Sequence, residues 1–203
     1  MKKALFIFSF FFYANSFSQS NFKKFCKLSP PIKTWVILHP FKAKKTLKIS
    51  QDVRFIADSI AKTTLLDGDR SGGQVDAFRH AYWMARLKQK IGHSAAKSLG
   101  KAHERENYLT YKKKKLEEGV IPDKISSEMD LFNNGVGLSL TVKGSKVSRK
   151  ALIFRVVNTI LQGKMKVLKK DEKGNFLTCE GKIIDAINLK GKWINNKCLV
   201  DSK

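Results

Sequence analysis

The stretch from Gly73 to Lys90 constrains the fold most, because its residue pattern predicts a helix with hardly any solvent-facing side. At about 100° per residue, one face of this helix carries Asp76, His80, Trp83 and Leu87. The opposite face is largely covered by Phe78, Ala81, Tyr82 and Ala85. Such a helix is buried among other elements, so the pattern predicts a mainly α fold built around it. Asp and His side chains in a buried position must be paired, liganded or functional.

Helical spacing of apolar residues recurs in four further segments. We expect these helices over residues 50–64, 94–119, 122–134 and 148–161. The third of them would end at Asn134-Gly135, because either residue suits a left-handed C-cap. After Gly163, short β-prone runs occupy residues 166–168, 176–178, 182–184 and 192–194. The chain is therefore predicted to form a compact helical domain of four to five helices with a small C-terminal β-hairpin-like appendage.

The N-terminus has the organisation of a secretory signal peptide. Met1-Lys2-Lys3 is followed by the apolar run ALFIFSFFFYA and by small polar residues, with cleavage expected after Ser18. The apolar run has about half of the roughly 20 residues that a spanning helix requires, and no later stretch comes close to that length. We expect a signal peptide over residues 1–18, a secreted or periplasmic protein, and no transmembrane segment.

Three segments follow the expected cleavage site. Residues 19–48 are interpreted as a basic arm, irregular or with one helical turn, because prolines mark it at positions 30, 31 and 40. Residues 49–163 are predicted to form the helical domain that carries the candidate site. Residues 164–203 are predicted to form the small β-rich appendage.

Three cysteines occur in a chain expected to reach an oxidising compartment. Cys179 and Cys198 lie close in sequence, and a disulfide between them would staple the appendage. Cys26 would then be free or intermolecular. The spacing of the cysteines matches no zinc or redox motif.

The chain is strongly basic, with 40 Lys and Arg against 17 Asp and Glu and a formal charge of +23. One interpretation is an anionic partner such as an envelope polymer or a lipid surface. The other is a lysine excess on solvated faces without a specific partner, since only seven of the basic residues are Arg. The scarcity of Arg also disfavours nucleic acid as the partner, because Arg is the usual bidentate phosphate ligand.

The loop before the central helix reads Asp67-Gly-Asp69-Arg-Ser71-Gly72, which resembles the opening of a calcium-binding loop. Position 12 of such a loop would be a bidentate carboxylate, but here it is Phe78. Asp67 and Asp69 are therefore candidate calcium ligands. The alternative is an acidic, glycine-rich turn that stabilises the start of the next helix through its dipole.

Asp76 and His80 are spaced i, i+4, so the carboxylate can orient the imidazole as a general base or as a metal ligand. The alternative is a structural pair within the core. On the next helix, periodicity places His103 and Glu106 beside the apolar stripe and Glu104 on the solvent-facing side. Asp130 lies within one helical turn of the amide side chains of Asn133 and Asn134. Asp and Asn together suit a functional site, but Asn-Gly is equally common at the end of a helix.

Three motifs together resemble a family of uncharacterised, mostly secreted bacterial domains of unknown function. The motifs are DAFRHAYW at residues 76–83, His103-Glu104, and MDLFNNGVG at residues 129–137. The resemblance covers roughly residues 50–140 and implies no established activity, cofactor or substrate. It does imply that the second motif is a His-Glu doublet, which favours Glu104 over Glu106.

The first functional hypothesis is a metal-assisted hydrolase that acts on an anionic or phosphorylated substrate. The divalent ion would be held by His80, His103 and Asp130. Asp76 would orient His80, and Glu104 would be the general base. Arg79 would offset negative charge on the substrate, and the reacting groups would be positioned by Asn133 and Asn134.

A second hypothesis is a non-enzymatic envelope-surface module in which the same polar residues form a buried structural network. Its lysine-rich exterior would then adhere to an anionic polymer or lipid surface. A third hypothesis is an exported antibacterial effector.

Overall fold

Helices form most of this protein, as the sequence predicts. The computed structural model describes residues 22–116 and 121–203, and the predicted signal peptide lies outside them. The helices are α1 (Pro30–Leu38), α2 (Pro40–Ile60), α3 (Gln74–Ile91), α4 (His93–Lys112), α5 (Lys124–Ser139), α6 (Arg149–Leu161) and α7 (Ala186–Leu189). Residues 22–26 are also helical. The strands are β1 (Lys166–Leu168) and β2 (Leu199–Asp201).

The central position of α3 confirms its predicted burial. Helix α3 packs against α2, α4, α5 and α6, and Phe78 and Tyr82 are completely buried in the core. Helix α5 approaches α3 closely at Gly137, where a Cβ would lie only 2.1 Å from the carbonyl oxygen of Ala81. Only glycine lets the two backbones come this near. Asp76 and His80 are thereby brought against the side chains of α5.

The predicted irregular arm is wrong, because α1 and α2 are regular helices that extend from Pro30 to Ile60 with a break at His39. Pro30 and Pro40 occupy the first turns of these helices. At this position the N–H has no partner within the helix, and the fixed φ of proline is already helical. Trp35 is buried, and its Nε1 donates a hydrogen bond to the carbonyl of Ala95, 3.1 Å away. The prolines therefore mark helix starts rather than interruptions, and α1 belongs to the core.

The predicted end of α5 at Asn134-Gly135 is also wrong, since the helix continues to Ser139. Asn134 and Leu138 are buried on the inner side of α5, so tertiary packing overrides the local preference for a turn. At its start, the Asp123 side chain caps the helix by accepting a hydrogen bond from the N–H of Ser126. The predicted cap of α6 by Ser148 is confirmed, because its hydroxyl accepts from the N–H of Ala151.

The C-terminal segment contains a two-stranded antiparallel sheet and the predicted Cys179–Cys198 disulfide. Strand β1 pairs with β2 so that Val167 faces Val200. The expected strands at 176–178 and 182–184 are reduced to isolated bridges, and 192–194 forms no strand. The carbonyl of Gly72 accepts a hydrogen bond from the N–H of Leu168, which attaches this segment to the loop before α3.

No helix within the described ranges is long and apolar enough to cross a membrane.

Candidate functional site

The acidic loop at residues 67–72 leads directly into α3 and stabilises its first turn. The Asp67 carboxylate accepts hydrogen bonds from the N–H groups of Asp69 at 2.9 Å and Gln74 at 2.7 Å, so it caps the helix from outside. A Cβ on Gly73 would lie 2.4 Å from Cβ of Asp69, which explains the glycine at this tight turn. These contacts agree with the capping interpretation of Asp67.

Asp69 is held between the loop and the C-terminal segment. One oxygen accepts from the N–H of Ser71 at 2.9 Å, and the other is 2.5 Å from Nζ of Lys170. The same ammonium donates to the carbonyl of Ser71 at 2.6 Å. A lysine charge therefore neutralises this part of the loop, and the calcium site at Asp67 and Asp69 stays a prediction.

Asp76, His80 and Asp130 converge in the interior, with one candidate ligand atom of each within 4.8 Å of the others. Nε2 of His80 lies 3.5 Å from Oδ1 of Asp76 and 3.3 Å from Oδ1 of Asp130. All three side chains are buried. The i, i+4 spacing predicts the first of these contacts, whereas the second depends on the packing of α5 against α3.

Arg79 and a backbone amide complete this cluster. Nη2 of Arg79 is 2.6 Å from Oδ1 of Asp76 and 3.2 Å from Nε2 of His80, and the N–H of Gly72 donates to Oδ2 of Asp76 at 2.8 Å. We call Asp76, Arg79, His80 and Asp130 the polar centre. Its two carboxylates and one guanidinium leave a net negative charge when His80 is neutral.

Burial lowers the pKa of His80 well below its ordinary value of 6.5. The positive charges of Arg79 and His103 act in the same direction, and hydrogen bonding with the Asn134 side chain opposes them. The imidazole is therefore neutral at pH 7. A neutral ring offers a lone pair to a metal ion or to a proton.

A cavity of about 60 Å³ adjoins the polar centre, and Asp76, Arg79 and Asp130 form part of its wall. Asn107 and Ser127 also line it, and within the described residues Oδ1 of Asn107 and Oγ of Ser127 have no hydrogen-bond partner. Buried polar atoms are normally satisfied, so this space suits ordered water or a small ion. Neither residue is among the predicted site residues, although Asn107 follows Glu104 and Ser127 precedes Asp130 by three positions on the same helix.

Helix α4 contributes two different acidic residues. Glu104 is buried and accepts a hydrogen bond from Nδ2 of Asn107 at 3.2 Å. The expectation from periodicity that Glu104 faces solvent is therefore wrong. The reason is that α4 packs against α1, α3 and α5, so more than its apolar stripe is covered.

Glu106 is half-buried, and its Oε2 lies 3.5 Å from Nδ1 of His103. Burial alone would raise the pKa of Glu106, but hydrogen bonding with His103 and the charge of Arg54 contribute to a net lowering. The His103 ring stands 6.2 Å from that of His80 between centroids. Within the described residues His103 is outside the group whose ligand atoms converge.

The two amides of α5 have separate roles. Asn133 is completely buried and pairs with the backbone of Lys166, donating to its carbonyl and accepting from its N–H, both at 2.9 Å. It therefore fixes the start of β1. Asn134 instead lies near His80, where its amide acts to raise the pKa of the imidazole, and its Nδ2 lies 3.3 Å from the position that a Cβ on Gly100 would take. The sequence placed both amides at the site, and the structure brings only Asn134 to His80.

No curated protein and no solved structure matches this chain. The family model named Domain of unknown function (DUF6973) matches residues 33–164, a range that contains most of α1 and all of α2 to α6. The match therefore includes the polar centre and extends further toward the N-terminus than the predicted resemblance. The chain belongs to this family of domains of unknown function.

Proposed function

We propose that this protein is a secreted, metal-assisted hydrolase whose divalent ion is held by Asp76, His80 and Asp130. The observation that carries the proposal is the convergence of these three buried side chains within 4.8 Å. One imidazole nitrogen and two carboxylate oxygens suit transition metals such as zinc, manganese or iron(II). This ligand set replaces His103, expected from the sequence, with Asp76.

The adjoining cavity supports a hydrolytic reaction. A bound metal ion lowers the pKa of a water molecule and polarises the bond that the water attacks. Asn107 and Ser127 could orient that water, because both line the cavity and carry polar atoms with no hydrogen-bond partner in the described part of the chain. Glu104 lies next to Asn107 and is the candidate general base. Arg79 lines the same cavity and would bind an anionic substrate group.

A second candidate function is a non-enzymatic module stabilised by the polar centre itself. Nη2 of Arg79 is 2.6 Å from Asp76 and 3.2 Å from His80, so its charge is close to the position that a metal ion would take. In that case the guanidinium offsets the charge of the Asp76 carboxylate, and removal of one partner would be strongly destabilising.

Metal analysis separates the two candidates. The purified protein is analysed for bound metal, and its thermal unfolding is measured with and without chelator. The hydrolase requires one divalent ion per chain, a lower Tm with chelator, and metal-dependent cleavage of a chromogenic phosphodiester or carboxylic ester. Absence of metal together with an unchanged Tm would favour the structural network.

Asp130→Asn tests the ligand assignment. We expect this variant to lose the metal, because a neutral amide is a far weaker ligand than a carboxylate. Asp58→Asn is the matched control, since Asp58 is exposed and pairs with Arg70 at 3.0 Å on the surface. Equal metal content in both variants would contradict the proposal.

A further inference from the structure

A large groove lies on the other side of the polar centre. It has a volume of about 880 Å³ and lies between residues 22–28 and helices α1 to α4. Most of its wall is apolar, including Phe25, Ile32, Val36, Leu47, Val53 and Leu99. Arg79, His80 and His103 stand in the same wall. The volume is within the range of about 300–1,000 Å³ typical of pockets for small ligands.

The charges around the groove are mainly positive. Lys24, Lys44, Arg54 and Arg79 line it, against one acidic residue within the described part of the chain, Glu106. Glu106 is itself paired with His103. An apolar space with this surplus of positive charge is complementary to a molecule that has a hydrocarbon chain and an anionic head.

The turn between α1 and α2 and the start of α2 also combine exposed apolar side chains with lysines. Ile37, Leu38 and Phe41 are 66%, 70% and 98% exposed, and they adjoin the groove residues Val36 and Pro40 in sequence. Exposed lysines follow at positions 44, 45 and 48. Apolar side chains flanked by lysine are typical of segments that bind the surface of an anionic bilayer.

We propose that the groove binds one acyl chain of an anionic phospholipid drawn from a bilayer, with the head group directed to Arg79 and the polar centre. As a substrate assignment this rests on the proposed function. Hydrolysis would then cleave the carboxylic ester of that chain: the hydroxyl of water bonds to the acyl carbon, and the released alcohol takes the proton. The products are a fatty acid and a lysophospholipid.

Tryptophan fluorescence reports on the groove directly. Trp35 and Trp83 line it, whereas Trp193 packs against Tyr108 and Tyr111 elsewhere. Vesicles of phosphatidylglycerol with brominated acyl chains should quench the emission of the full chain and of a Trp193→Phe variant to a similar extent. Phosphatidylcholine vesicles with the same chains should quench weakly, and high salt should reduce the effect. Equal quenching by both lipids, or none, overturns the proposal.

Two phenylalanine variants test the location. Ala43→Phe places a ring in the groove and should raise the lipid concentration for half-maximal quenching by about tenfold or more, equivalent to roughly 1.4 kcal/mol. Ala151→Phe is the matched control, because Ala151 is exposed on α6 and should leave quenching unchanged. The same response in both variants would place the lipid outside the groove.

Binding and catalysis are measured separately. With chelator present, quenching should persist while hydrolysis stops. Metal-dependent hydrolysis of a chromogenic ester without quenching would refute the lipid assignment alone. Quenching of a protein that binds no divalent ion even when metal is supplied would refute the hydrolase alone. The same measurement is made on the form that begins at Gln19, which is the chain expected after cleavage of the signal peptide. We expect quenching of this form, and its absence would overturn the lipid proposal.

Discussion

At the scale of single residues, the ionisation of His80 is coupled to folding. Burial, followed by the charges of Arg79 and His103, lowers its pKa well below the 6.5 of an exposed histidine. The unfolded chain therefore binds a proton in a pH range in which the folded protein does not. Protonation of His80 acts against the folded state in this range.

We expect the metal-free protein to lose stability as the pH falls below about 6.5, because the folded pKa is lowered and the unfolded state takes up the proton first. The contribution of His80 changes by up to about 1.4 kcal/mol per pH unit until its folded pKa is reached. Urea unfolding across this range, with chelator present, measures the slope. His80→Asn should have a shallower slope, and identical slopes would contradict this account.

Glu104 and Glu106 offer a direct comparison of two acidic side chains on one helix. Glu104 is buried beside Asn107, whereas Glu106 faces the groove with His103. We expect Glu104→Gln to retain the metal but to lower kcat by about 100-fold or more, because the general base is gone. Glu106→Gln should retain most activity. The opposite ranking in steady-state kinetics would transfer the role of base to Glu106.

At the scale of elements, the contact between α3 and α5 determines whether the polar centre assembles. Asp76 and His80 come from α3 and Asp130 from α5, so their geometry depends on how closely these helices approach. Gly137 lies at a point where the two backbones are in close contact. Packing at a residue outside the site therefore controls the distance between its members.

Two glycines on α5 test this dependence. Gly137→Ala would force its Cβ against the Ala81 carbonyl, and we expect a loss of about 2–3 kcal/mol in unfolding free energy with weaker metal binding. Gly135→Ala is the matched control, because no atom lies within 4 Å of the position that its Cβ would take. It should stabilise the helix by about 0.5–1 kcal/mol. Chemical denaturation of both variants provides the comparison, and equal effects would argue against the close contact.

At the scale of the whole molecule, the C-terminal segment supports the helical part at the loop before α3. Leu168 donates to Gly72, Lys170 pairs with Asp69, and Asn133 of α5 pairs with Lys166. The Cys179–Cys198 disulfide closes a loop over a sequence separation of 19 within this segment. The segment therefore contributes to the environment of Asp76 through the Gly72 amide.

Removal of the disulfide should reduce stability. A loop of this length corresponds to about 3 kcal/mol in the unfolded-state entropy model, so Cys179→Ser with Cys198→Ser should unfold at a markedly lower denaturant concentration. Cys26→Ser is the control, because Cys26 is exposed and free. A double variant as stable as the control would mean that the loop adds little constraint.

Local sequence alone determined the helical class, the burial of α3, the Asp76–His80 pair, the Ser148 cap and the disulfide. Each depends on residues close in sequence, where helical period and capping chemistry are sufficient. Only the tertiary structure decided that Glu104 is buried, that Asp130 joins His80, and that Asn133 turns to β1. The structure also has two helices, α1 and α2, in place of the expected irregular arm, and both line the groove. The physical reason is that periodicity identifies which side chains share a face, whereas the neighbour that covers that face comes from elsewhere in the chain.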